Sequence, residues 1–144
     1  MTQVRMYVRA ADRLRLLYHL LSRKILPRGM RAFIFVPDEA EAERVDNYLW
    51  TASAAEFLPH ARAESDAAAD SPAVVATAEP PPDWDCGGVL VSWGAEAPPF
   101  FGRFETLADI TGNRPQEMRA ARLRYKFYEA HGYPIDLHEM DKNG

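Results

Sequence analysis

Residues 31–36 read RAFIFV, a near-continuous apolar run of the length of one β-strand. Such a run is typical of a strand whose two faces are both covered, as in a parallel sheet. A second strand is predicted at residues 3–9 (QVRMYVR), where β-branched and aromatic residues alternate with polar ones. We expect the strand at 31–36 to be central in its sheet and parallel to the strand at 3–9.

Two helices are predicted after these two strands. Asp12 is a suitable N-cap for a helix over residues 13–26, which Pro27 and Gly29 end. Asp38 can cap a second helix over residues 39–50, with Glu41 in the capping-box position. The alternation of strands and helices implies right-handed crossovers. The first helix carries an apolar stripe that can lie on the sheet, formed by Leu14, Leu17, Leu21 and Ile25.

The rest of the chain predicts further strands and one more helix. Short strands are expected at residues 73–78 and 88–93, joined by a proline-rich loop at 80–87, and a last strand at 104–110. Residues 61–70 (ARAESDAAAD) predict a mobile acidic surface loop, and residues 98–104 (PPFFGRF) an irregular segment with exposed aromatic side chains. Together, these strands and helices predict a single α/β domain over residues 1–144, with three layers and a mostly parallel sheet of about five strands.

Composition limits the function classes. Of the 144 residues, 47% are hydrophobic and 26% are charged, as in ordinary globular proteins. The formal net charge of −4 argues against general nucleic-acid binding, which usually needs a basic excess. The one cysteine, Cys86, excludes an internal disulfide. We find no apolar run of signal-peptide or membrane-spanning length, so we expect a soluble cytoplasmic protein with no membrane contact.

The common catalytic and cofactor motifs are absent from the sequence. The first strand-to-helix junction, residues 9–12 (RAAD), lacks the glycines that a dinucleotide pyrophosphate requires. Neither a phosphate-binding P-loop nor a GxSxG nucleophile motif occurs. His60 and Cys86 have no partner residues nearby in sequence, which favours a packing or solvated His60 and a half-buried Cys86 over catalytic roles. We therefore expect no cofactor, no metal and no active site, although a small-ligand or nucleotide-binding α/β enzyme remains an alternative by fold analogy.

The helix predicted at residues 115–131 (PQEMRAARLRYKFYEAH) carries a cationic stripe at spacing i, i+3, i+7, formed by Arg119, Arg122 and Lys126. Apolar residues border it on both sides, Leu123 with Phe127 and Met118 with Tyr125. This surface suits an acidic peptide that ends in a hydrophobic side chain and a carboxylate. The same spacing is also typical of a solvated helix face whose long basic side chains cover the edge of the core.

Three stretches together resemble one family: residues 44–50 (RVDNYLW), 56–60 (EFLPH) and 122–133 (RLRYKFYEAHGY). Their order and spacing are similar to those of the chi subunit of bacterial DNA polymerase III. The resemblance implies a Rossmann-like α/β fold and a clamp-loader accessory without its own catalysis. In that family chi binds the acidic carboxyl-terminal tail of single-stranded DNA-binding protein, which ends in Pro-Phe, and a separate surface binds the psi subunit.

The resemblance also assigns residues to these two surfaces. The tail site maps onto Arg122, Tyr125 and Lys126, and Arg119 would extend its acidic contacts. The guanidinium of Arg122 can bind the terminal carboxylate in a bidentate fork, and Tyr125 with neighbouring apolar atoms can contact the terminal phenylalanine. The psi site maps onto Trp50 and Phe57, for which the alternative role is simple core filling.

The expected protein is thus a replisome adaptor that is monomeric alone and contacts DNA only through its partners. One alternative is a chi-like adaptor that serves mainly a helicase-like repair protein. The enzyme alternative predicts a deep, polar pocket at the carboxyl ends of the strands, whereas the adaptor predicts shallow basic and aromatic surface patches.

Overall fold

The computed structural model describes residues 1–52 and 58–141. In this part of the chain a parallel sheet has seven strands in the order β3-β4-β2-β5-β6-β1-β7. Its strands are β1 (Gln3–Ala10), β2 (Ala32–Phe35), β3 (Ala61–Arg62), β4 (Ala73–Ala76), β5 (Val89–Ser92), β6 (Thr106–Gly112) and β7 (Ile135–Glu139). The main helices are α1 (Arg13–Leu20), α2 (Glu39–Thr51) and α3 (Pro115–Ala130).

The helices cover both faces of the sheet, as the apolar strands require. One core layer packs α1 and α2 against the sheet through Leu17, Val45 and Ile34, all fully buried. The other packs α3 against it, with Met6 and Tyr128 at its centre. The α/β three-layer prediction is therefore confirmed, with β2 inside the sheet between β4 and β5.

The predicted helix caps form. Asp12 Oδ1 accepts a hydrogen bond from the Arg15 backbone N–H at 3.1 Å, and Asp38 Oδ1 accepts one from the Glu41 N–H at 2.8 Å. Beyond α1 the helical backbone continues through a π-helical turn at Leu21–Ile25 and a 3₁₀ turn at Leu26–Arg28. Gly29 ends this segment with a φ of 73°, a left-handed conformation that glycine adopts without strain.

Three predictions about local structure are wrong. The segment predicted as a loop at 61–70 contains β3, which pairs with β4 at the edge of the sheet, and a 3₁₀ turn at Ala68–Asp70. The strand predicted as the last, now β6, is followed by β7, so the sheet is wider than about five strands. The aromatic side chains of Phe100, Phe101 and Phe104 are buried against the α3 face of the sheet instead of exposed.

Candidate partner-binding site

The start of α3 is fixed by both its own sequence and its neighbours. Arg114 has the extended backbone of an N-cap, and Pro115 occupies the first helical position, where its missing N–H costs nothing. The carboxylate of Glu117 accepts a hydrogen bond from the Gly112 N–H at 3.1 Å and lies 3.4 Å from Arg13 Nη1. These contacts tie the first turn of α3 to the carboxyl end of β6 and to α1.

A buried polar cluster sets the rotation of α3 on the sheet. Arg124 donates to both carboxylate oxygens of Asp109 on β6, at 2.8 and 2.9 Å, and to Thr111 Oγ1 at 2.5 Å. A further bond joins Arg124 to the Ala95 carbonyl at 2.7 Å, and the Tyr128 hydroxyl donates to Asp109 Oδ2 at 2.9 Å. Because Asp109 and Tyr128 are almost wholly buried, this cluster leaves α3 one favourable orientation.

The ionisation of this cluster follows from its surroundings. Burial lowers the pKa of Arg124, but the hydrogen-bonded carboxylate of Asp109 more than offsets this, so the guanidinium pKa lies above its ordinary value. Burial, with the charge of Asp109, raises the pKa of the Tyr128 hydroxyl far above its ordinary value. The Arg124 guanidinium therefore stays charged and the Tyr128 phenol stays neutral at physiological pH.

With Arg124 and Tyr128 turned inward, the predicted cationic stripe faces solvent. The side chains of Arg119, Arg122 and Lys126 are all exposed on α3. Leu123 and Phe127 lie on one flank and are exposed to 69% and 42%, which is high for apolar residues. Phe127 also packs edge-on against Phe101, with ring centroids 6.2 Å apart.

On the opposite flank of the stripe, a pocket of about 220 Å³ opens between α3, β1 and β7. Its lining is mainly apolar and is provided by Met6, Val8, Met118, Ala121, Tyr125 and Leu137. Its charged lining residues are Arg9, Arg122 and Glu139. The pocket thus pairs an apolar interior with guanidinium groups, the combination that a carboxylate next to a hydrophobic side chain requires.

The structure divides the four residues predicted for the tail site. Arg122 and Tyr125 line the pocket, whereas Arg119 and Lys126 lie outside its lining on the exposed stripe. The sequence analysis missed the walls formed by β1 and β7. The one local signal for the strand that contributes Leu137 is the alternation of apolar and polar side chains at residues 135–138 (IDLH).

A second exposed surface lies at the end of α2. Trp50 is 54% exposed, which excludes simple core filling, and its ring packs on that of His60 with centroids 4.5 Å apart. The His60 side chain is fully buried, with Nε2 3.2 Å from Asp46 Oδ1 and Nδ1 2.9 Å from the Leu58 carbonyl oxygen. Of the two roles expected for His60, packing or solvated, the structure shows packing. Phe57, the other residue predicted for this surface, lies outside the described residues.

The structure also contains the polar pocket that the enzyme alternative predicts, a crevice of about 660 Å³ at the carboxyl ends of β1, β5 and β6. Its central group is Arg13, whose guanidinium stacks on Trp93 at 4.1 Å and also contacts Glu117. Burial lowers the pKa of Arg13, and Glu117 and Glu41 oppose that shift. Glu41 in turn accepts a hydrogen bond from Trp93 Nε1 at 2.9 Å and pairs with Arg44. The charges of the crevice are thus largely matched within the protein.

Two negative findings apply to the described ranges, 1–52 and 58–141. No cluster of three or more histidine, cysteine or acidic side chains is arranged to hold a metal ion there. Nor does any helix in these ranges have the length and apolar character needed to cross a bilayer.

Comparison with known proteins identifies the family. A family model described as DNA polymerase III chi subunit, HolC, matches residues 1–136. The DNA polymerase III subunit chi of Pseudomonas aeruginosa is 33% identical over 122 residues, which cover 85% of this chain and 83% of that protein. The resemblance seen in the sequence is therefore confirmed, and this chain belongs to the DNA polymerase III chi subunit family.

Proposed function

We propose that this protein is a non-catalytic adaptor that binds the acidic carboxyl-terminal tail of single-stranded DNA-binding protein and links it to the clamp loader through the psi subunit. The observation that carries the proposal is the apolar pocket beside α3, with Arg122 in its lining and exposed cations next to it. As a chi-family member the protein is an accessory subunit of the polymerase III complex, and this pocket supplies a means of tethering that complex to coated DNA.

In the proposed complex, the terminal phenylalanine of the tail occupies the pocket. Dry cavities of about 150 Å³ hold benzene, so a volume of about 220 Å³ accommodates a phenylalanine ring. Arg122 binds the terminal carboxylate through its planar fork, while Tyr125 and Met118 contact the ring. Lys126 and Arg119 attract the preceding acidic residues from the exposed stripe, where each contact is weak and sensitive to salt.

The second surface is proposed to bind the psi subunit. The exposed indole of Trp50 packs on the buried ring of His60. This favours the proposal, because tryptophan is enriched at the centres of protein interfaces. We assign Phe57 to the same surface from the family resemblance alone. A helicase-like repair protein in place of psi is the alternative occupant.

The crevice is the one observation that favours the enzyme alternative. Most of its guanidinium and carboxylate groups are engaged with each other and with backbone carbonyls, such as Ile110 O at 3.4 Å from Arg13 Nη2, although Arg13 Nε is buried without a hydrogen-bond partner. A ligand would have to displace these contacts, so we assign them to holding α1, α2 and α3 together at this end of the sheet. Thermal stabilisation of the protein by a nucleotide would contradict this assignment.

The tail proposal is tested by fluorescence anisotropy with a labelled acidic peptide that ends in Asp-Ile-Pro-Phe. We expect a micromolar dissociation constant, about −8 kcal/mol, because a short tail buries little surface and loses entropy on ordering. A peptide without the terminal phenylalanine has the same acidic residues and is expected to show no binding. Equal binding of the two peptides would reject the pocket as the recognition site.

A further inference from the structure

The pocket beside α3 contains a departure from regular strand geometry. Consecutive residues of a strand point to opposite faces of its sheet, yet Val8 and Arg9 of β1 both line this pocket. The pairing of β1 with β6 gives the cause. Tyr7 pairs with Ile110 and Ala10 with Gly112, so three steps along β1 match two along β6. This is a β-bulge, and it turns Arg9 towards the side of the sheet on which α3 lies.

The bulge places Arg9 in a strained conformation. Its φ is 62°, in the left-handed region, where arginine is disfavoured and glycine is not. Glycine at this position would adopt the same backbone conformation without strain. Strained residues of this kind cluster at binding sites, where the strain helps to position a side chain.

The internal partner of Arg9 does not account for an arginine. Arg9 Nη1 lies 3.9 Å from Asp141 Oδ2, and the two side chains are 43% and 47% exposed. Ion pairs this long and this exposed contribute little to stability. The guanidinium therefore remains available to a ligand in the pocket.

We propose that Arg9 is a second binding group for the terminal carboxylate of the acidic tail, opposite Arg122. This inference rests on the proposed function and adds the basis of its specificity. Arg122 extends from α3 and Arg9 from β1, so two arginines line one pocket from different elements. The third charged lining residue, Glu139, is negative, and with two arginines against one glutamate the lining keeps a net positive charge. Two guanidinium groups select a free carboxyl terminus over a phenylalanine inside a longer chain.

A double-mutant cycle tests this assignment. The acidic peptide is prepared with a free carboxyl terminus and with a terminal amide, and both are titrated against the wild-type protein, Arg9→Leu and Arg9→Gly. Arg5→Leu is the matched control, because Arg5 is an exposed arginine of the same strand outside the pocket lining. Glycine relaxes the left-handed backbone, so Arg9→Gly separates loss of the guanidinium from distortion of the bulge.

We expect both Arg9 variants to bind the free-acid peptide about 3- to 10-fold more weakly, since the lost contact is charge-assisted but partly exposed. The amide peptide should bind the variants and the wild type nearly alike, and Arg5→Leu should retain the wild-type preference for the acid. Arg9→Gly should melt at or above the wild-type temperature. If Arg9→Gly retains the wild-type affinity, or if both peptides weaken equally in the variants, the assignment of Arg9 is overturned and tail binding stands. If the wild-type protein binds neither peptide, the proposed function fails as well.

Discussion

Replacing Tyr128 by phenylalanine removes one oxygen atom from the buried cluster and leaves the ring in place. That hydroxyl donates to Asp109 Oδ2 at 2.9 Å, and the tyrosine is fully buried. Arg124 keeps both of its bonds to the carboxylate, so the Arg124–Asp109 contact is retained in the variant. The change therefore isolates a single charge-assisted hydrogen bond.

Hydrogen bonds to buried charged groups contribute about 1.5–3 kcal/mol, and a protein of this size shifts its Tm by about 3–5 °C for each kcal/mol. We expect Tyr128→Phe to lose about 1.5–3 kcal/mol of unfolding free energy and about 5–15 °C in Tm, measured by urea unfolding and by thermal circular dichroism. Tyr125→Phe, on the same helix but half-buried, is the control and should change stability by less than about 0.5 kcal/mol.

Binding of the tail peptide by Tyr128→Phe at 25 °C should match the wild type, because the folded variant keeps the outer face of α3 unchanged. A loss of stability below about 0.5 kcal/mol would refute the view that Asp109 depends on this donor. A loss of affinity without a loss of stability would place Tyr128 in the recognition site instead of beneath it.

Three further predictions concern pH and the two binding surfaces. Above pH about 10 the unfolding free energy should fall by an extra ~1.4 kcal/mol per pH unit, because tyrosine ionises in the unfolded chain while the raised pKa of Tyr128 keeps it protonated in the folded one; urea unfolding of Tyr128→Phe should lack this component. Arg122→Ala should weaken the tail peptide by about 1–3 kcal/mol in fluorescence anisotropy, and Arg122→Lys should restore only part of the affinity because lysine lacks the planar fork. Full rescue by lysine would contradict bidentate binding. Trp50→Ala should reduce capture of a clamp-loader or helicase partner in pull-down assays while leaving peptide affinity and Tm nearly unchanged, and a large drop in Tm would instead assign the indole to the core.

The layers of the fold could be predicted because their signals are local. The apolar run at 31–36 and the caps at Asp12 and Asp38 depend on neighbouring residues alone, and each forms as expected. The edge strands carry weaker signals. β3 has only two residues, and β7 alternates through Asp136 and His138 in a pattern that also suits a polar tail.

The candidate site shows a sharper limit on prediction from sequence. Arg119, Arg122 and Lys126 share the spacing i, i+3, i+7 with Ala121, Arg124 and Tyr128, and both sets form stripes on α3. The second stripe is the buried one, because Asp109 of a distant strand neutralises Arg124. Spacing alone does not distinguish a buried, paired arginine from a solvated one. The pocket walls were missed for the same reason, since β1, α3 and β7 meet only in the folded chain.

The position of β7 also has a consequence for damaged or incomplete copies of the protein. β7 lies at the edge of the sheet beside β1 and supplies Leu137 to the pocket. A chain cut after Gly132 keeps α3 with all its cations but loses this wall. On the proposed function, such a fragment keeps the exposed cations of α3 but lacks the wall that holds the terminal phenylalanine ring, so cleavage between Gly132 and β7 abolishes recognition of that ring. The proposed tail site thus depends on the last strand of the sheet as much as on the cations of α3.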